Sequence, residues 1–98
     1  MEKNMVCGGW HINPEIVDDN TQIPQEYLDI FNEAVEGIDG VGYMPLLYCG
    51  SQLVSGYNYM FIARKTHILP TPVYNVVNLV IYKPFGEKAT ITQVDELL

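Results

Sequence analysis

Two cysteines (Cys7, Cys49), two histidines (His11, His67) and two serines (Ser51, Ser55) are the groups here that nucleophilic or metal chemistry would use. A thiol becomes a nucleophile beside a base or a positive field, and a serine needs a histidine within hydrogen-bond reach. Ser51 and Ser55 have no histidine that the chain would bring beside them, and His67 falls near a different turn from His11. Cys7 and Cys49 should lie near one end of the fold, where a disulfide or a metal pair with His11 is conceivable. Two cysteines are too few for a disulfide framework, so two unrelated free thiols are the better reading. Glu26, Asp29, Glu33 and Glu36 fall on one side of a helical pattern and read as a solvated face. No catalytic residue, metal ligand or cofactor is expected.

What remains is recognition by shape. The stretch Gln52-Leu53-Val54-Ser55-Gly56 lies between two aromatic-rich runs, where a hairpin turn would be expected. Hairpin turns favour polar pairs such as Asn-Gly, yet this one carries Leu53 and the β-branched Val54.

The elements that must position this turn follow from periodicity. From Pro24 to Ile38, Tyr27, Leu28, Phe31, Ala34, Val35 and Ile38 recur at three- and four-residue steps, which predicts a helix with one apolar stripe. Pro24 suits the first turn, and Gly37 or Gly40 can end it. Beyond it the pattern becomes strands. Tyr43–Cys49 is apolar, with Pro45 near a strand start or a bulge. In Tyr57–Ile68, Tyr57, Tyr59, Phe61 and Ala63 alternate with Asn58, Met60, Ile62 and Arg64. Leu69–Pro72 breaks the ladder. Val73–Tyr82 sets Val77, Leu79 and Ile81 on one face, and Ala89–Val94 is a shorter last strand. Gly9–Asn13 is expected to form a brief first strand that stops at Pro14. The sum predicts an α+β fold, with one helix across a four- to five-stranded antiparallel meander.

At 98 residues the chain is read as a single domain. It is 48% hydrophobic and 17% charged, a globular composition. A formal charge of −7, with five scattered Lys and Arg, argues against nucleic acid and anionic membrane as partners. Met1–Val6 has two charges and no apolar core, so no signal peptide is visible and a cytoplasmic location is expected.

In a meander, alternate turns share one end of the sheet. The turn at Ser51–Gly56 and the turn at Lys83–Gly86 therefore project together, with Leu53, Val54, Pro84 and Phe85 at their tips. Clustered exposed apolar residues of this kind mark binding sites. Here the chain resembles the cystatin family, inhibitors of papain-like cysteine proteases. Gln52-Leu53-Val54-Ser55-Gly56 matches the family's Gln-x-Val-x-Gly loop, and Gly8-Gly9 resembles its N-terminal glycine. The run from Gly56 to Arg64 looks like the strand that follows the loop in the stefins, the short, disulfide-free branch. Pro84-Phe85 sits where the secreted branch places Pro-Trp. The resemblance spans Gly8 to Leu98, ending in Asp95-Glu96-Leu97-Leu98. Three features depart from it: Phe85 replaces Trp, which keeps an aromatic but loses an N–H donor, and two more lie toward the N-terminus. The helix begins late, so Ile12–Ile23 is expected to form an irregular lead-in, and Trp10 has no assigned place.

The resemblance implies a reversible inhibitor that fills a protease cleft without reacting. Gly8 and Gly9 would let the backbone lie close to the nonprimed side, with Val6 and Cys7 in neighbouring subsites. Leu53 and Val54 would sit beside the catalytic pair, Gln52, Ser55 and Gly56 would shape the loop, and Pro84 and Phe85 would cover the primed side. A β-branched Val54 in a tight turn is expected to hold strain that straightening of the loop would relieve. A monomer able to form a domain-swapped dimer is therefore expected, a tendency the resemblance to stefins also implies. The alternatives are a cystatin-fold binding module for a non-protease partner or peptide, and an inhibitor specific for one cognate protease. Phe85 as a core-capping aromatic, and Gly8-Gly9 as a flexible leader, are the plainer readings of those residues.

Overall fold

The computed structural model describes residues 9–18 and 21–98. Val6, Cys7 and Gly8, to which the sequence assigns roles, lie outside the described residues. Five strands and two helices follow in the order β1 (Trp10–Ile12), α1 (Pro14–Val17), α2 (Gln25–Val35), β2 (Val41–Val54), β3 (Gly56–His67), β4 (Val73–Lys83) and β5 (Thr90–Glu96). The strands form one antiparallel sheet in the order β1-β2-β3-β4-β5. The fold is thus α+β, with α2 across one face of the sheet as in the cystatin-like arrangement.

The apolar stripe of α2 is what holds helix to sheet. Phe31 and Ala34 meet Tyr48, Phe61, Ala63, Val77, Leu79, Ile81 and Ala89 in one core, and Phe31, Phe61, Val77, Leu79 and Ile81 are completely buried. Each such large side chain contributes about 1.5–3 kcal/mol. The strand residues come from one side of the pleat, as the alternation requires. Phe31 meets Phe61 edge-on at 5.1 Å, and Tyr27 stacks on Tyr48 at 4.0 Å. Burial pushes the Tyr48 hydroxyl far above its ordinary pKa of 10.0, so it stays neutral.

Several local expectations change. Pro24 is the N-cap of α2 rather than a residue of its first turn, and the helix stops at Val35, before Ile38. Its end is a type II turn: Glu36 has φ −59° and ψ 131°, Gly37 has φ 80°, and the Ile38 N–H donates to the Val35 carbonyl at 3.3 Å. The lead-in is partly helical. Asn13, buried, accepts from the Glu15 N–H (3.1 Å) to cap α1, and its Nδ2 donates to the Tyr48 carbonyl (3.1 Å). Of the two places expected for Pro45, a strand start or a bulge, the second is the one found: it lies inside β2, at a register shift before Leu47. Because β1 pairs only with Gly50–Gln52, that part of β2 is also a sheet edge, and a register shift on an edge strand is where proline is tolerated.

Candidate functional site

The β2–β3 hairpin is tighter than the sequence suggests. Leu53 pairs with Tyr57 and Val54 with Gly56, leaving Ser55 alone at the apex. Leu53 and Val54 are therefore strand residues on opposite faces. Leu53 is 42% exposed, whereas Val54 is only half-buried rather than free in water at a tip. The left-handed backbone of the turn belongs to Gly56 (φ 106°), and Val54 remains in strand conformation. The strain expected of Val54 thus has no place in this turn. Gln52 braces the hairpin one step below, accepting from the Asn58 Nδ2 at 2.9 Å.

The second turn stands against the first. Tyr57 pairs with Lys83, so the end of β4 runs beside the start of β3. A Cβ on Gly56 would lie 2.4 Å from the Lys83 carbonyl oxygen and 2.8 Å from the Pro84 Cα. Only glycine lets the two turns approach this closely. The Tyr82 hydroxyl also donates to the Ser55 carbonyl, a second tie between β4 and the hairpin apex.

Phe85 is 67% exposed and meets the Tyr57 ring edge-on at 6.1 Å, so it stands at the surface and does not cap the core. Tyr57 stacks on Tyr59 (5.8 Å), Tyr59 lies against Tyr27 (5.9 Å), and Tyr27 stacks on Tyr48. An unbroken series of ring contacts therefore joins the core to the outermost aromatic of the site.

The third segment reaches the same end through β1. Trp10 pairs with Gln52 and Ile12 with Gly50, which puts Gly9 beside the Leu53 end of β2. Gly9, Gln52–Gly56 and Pro84-Phe85 thus share one end of the sheet, as the meander requires, while the β3–β4 turn lies at the other. Gly8 is outside the described residues.

Cys49 is a free, half-buried thiol whose pKa burial raises, so it is protonated at neutral pH. It lines an apolar groove with Trp10, His11, Ile12, Gly50 and Met60. Among the described residues, no group of three or more His, Cys, Asp and Glu is placed to hold a metal ion. None of their helices is long and apolar enough to cross a membrane.

Three residues of the site escape a reading of the turns alone, and a fourth, Lys83, was placed in its turn without a role. Trp10 flanks Gln52, Tyr57 supports Phe85, Tyr82 holds Ser55, and Lys83 lies against Gly56. Tyr57, Tyr82 and Lys83 had a signal, since strand residues next to apposed turns must face one another. Comparison with protein-family models, with curated proteins and with solved structures returned no match.

Proposed function

We propose that this protein is a reversible inhibitor of papain-like cysteine proteases, acting as a cytoplasmic monomer and without catalysis. One observation carries the reading: three segments with no shared chemistry, Gly9, Gln52–Gly56 and Pro84-Phe85, converge at one end of the sheet with Leu53 and Phe85 exposed. Such a front suits an open cleft between two lobes. Gly9 keeps the backbone close to one wall, Leu53 and Val54 occupy the centre beside the thiolate and histidine, and Pro84 and Phe85 cover the far wall. Nothing in the front needs to gain or lose a proton, because the inhibitor excludes substrate instead of reacting. A standard interface of roughly 800 Å² per partner is within reach of three such segments.

Titration of papain and of a cathepsin with the protein tests this. Stoichiometric, reversible loss of peptidase activity is expected, and full activity at micromolar inhibitor would refute it for these targets. Exchange of β1, the helices and β2 between two chains would use Ser55–Gly56 as its hinge. A dimer on size exclusion after mild heating is the expected sign, and monomer alone counts against it.

A further inference from the structure

The Pro84-Phe85 turn has its two feet in the same hand. On the third turn of α2, one carboxylate oxygen of Glu33 accepts from Lys83 Nζ at 3.0 Å and from the Ala89 N–H at 2.8 Å. Lys83 is the residue before Pro84, and Ala89 is the residue before β5. Lys83 Nζ also donates to the Glu87 carbonyl, inside the turn. The Glu87 N–H reaches the Pro84 carbonyl at 3.4 Å, with Phe85 and Gly86 (φ 73°) as the central pair. Ala89 is completely buried, so without Glu33 its N–H would lose its partner at the margin of the core.

We propose that Glu33 is the positioning residue of this turn, and that its carboxylate sets where Phe85 stands relative to the β2–β3 hairpin. Close approach at Gly56 fixes the side of the turn that faces the hairpin, and Glu33 fixes the side that faces the helix. Lys83 joins both contacts, through its backbone carbonyl at Gly56 and its ammonium at Glu33. A turn held at both feet keeps Phe85 placed before a partner arrives, which lowers the ordering cost of binding. Only the effect on affinity rests on the inhibitory reading above; the anchoring itself does not.

The test compares Glu33→Ala and Glu33→Gln with the unsubstituted chain by NMR. In Glu33→Ala the Ala89 amide should exchange about tenfold faster, the loss of one charge-assisted hydrogen bond. The cross-relaxation between the Tyr57 and Phe85 rings should weaken while Val80 exchange holds. Glu33→Gln keeps an acceptor and loses the ion pair, so about a threefold change at Ala89 is expected; it carries the test if Glu33→Ala does not fold. Unchanged exchange at Ala89 with an intact ring contact would overturn the proposal. Against papain, Glu33→Ala should weaken inhibition about tenfold with Phe85 present, and leave it unchanged in a Phe85→Ala background. Equal losses in both backgrounds would reveal a general structural role and overturn it as well. If the unsubstituted chain does not inhibit papain, the inhibitory reading falls, and the exchange and ring measurements still decide the role of Glu33.

Discussion

The two ends of the sheet expose similar side chains and differ in how those side chains are held. At the β3–β4 end, Ile68 is 64% exposed and Leu69 54%, as much apolar surface as Leu53 and Phe85 offer at the other. There the Ile68 N–H donates to the Gly40 carbonyl at 3.0 Å and the Leu69 N–H to the His67 carbonyl at 3.1 Å. At the Phe85 end, two turns touch at Gly56, Tyr82 ties β4 to Ser55, Glu33 grips both feet of one turn, and Tyr57 supports Phe85. Exposure of aliphatic residues therefore does not single out an end. Convergence of separately anchored segments does, because only a surface with fixed internal spacing can match a rigid cleft.

The largest test of this contrast is a pair of glycine substitutions. Gly56→Ala combines a positive φ with a clash against the Lys83 carbonyl, and should cost about 3 kcal/mol. That corresponds to a fall of about 12–24 °C in Tm. Gly40→Ala, at φ 80° with nothing within 4 Å of the new Cβ, carries only the backbone term of about 1 kcal/mol. Equal losses by thermal denaturation would erase the distinction between the ends.

A smaller effect is expected from charges placed on the two surfaces. Val54→Asp and Gly9→Glu should each weaken papain inhibition about tenfold or more without unfolding the domain. Leu69→Asp, at the opposite end, should leave inhibition unchanged. If all three substitutions behave alike in a papain titration, the converging end has no special part in binding.

Acid should loosen the anchored end. The Ala89 N–H and the Lys83 ammonium, with Lys88 further off, hold the Glu33 carboxyl below its ordinary 4.5. A carboxyl lowered on folding adds stability above its unfolded pKa, and loses it as pH falls through the folded value. Below about pH 4.5 the unsubstituted chain should therefore lose stability faster than Glu33→Gln, in urea melts at stepped pH. Parallel decline of the two would mean that the carboxylate has no such role. The smallest change belongs to Lys88→Ala: its contact with Glu36 is 3.6 Å long between mostly exposed side chains, and Tm should not move measurably.

How much of this was legible in the sequence depends on the range of the signal. Val77, Leu79 and Ile81 declared a buried strand face, and Phe31 with Ala34 declared the helix stripe, because each repeats over several turns or pleats. The shared end of the two turns followed from strand reversal alone. Four residues from Pro14 to Val17 are too few to show periodicity, although Asn13, Pro14 and Glu15 are a start signal. Pro45 pointed to a strand start or a bulge without choosing, because the edge position and register shift that accommodate it depend on pairing with β1 and β3. Leu53 and Val54 were placed in a loop, since nothing local says that β2 continues to them. The grip of Glu33 on Ala89 was hidden by distance along the chain: in sequence it is one more acid on a solvated helix face.

Trp10 is the only tryptophan in the chain, and β1 sets it directly opposite Gln52. At 42% exposure its indole is partly in water and partly against the protein. The molecule thus carries its one indole, which emits at longer wavelength than its seven tyrosines, at the end where its three segments meet. A partner seating there would dry one side of the ring and shift the emission to the blue, whereas contact at the β3–β4 turn would leave the spectrum alone. Occupancy of one end can be followed optically, without a label.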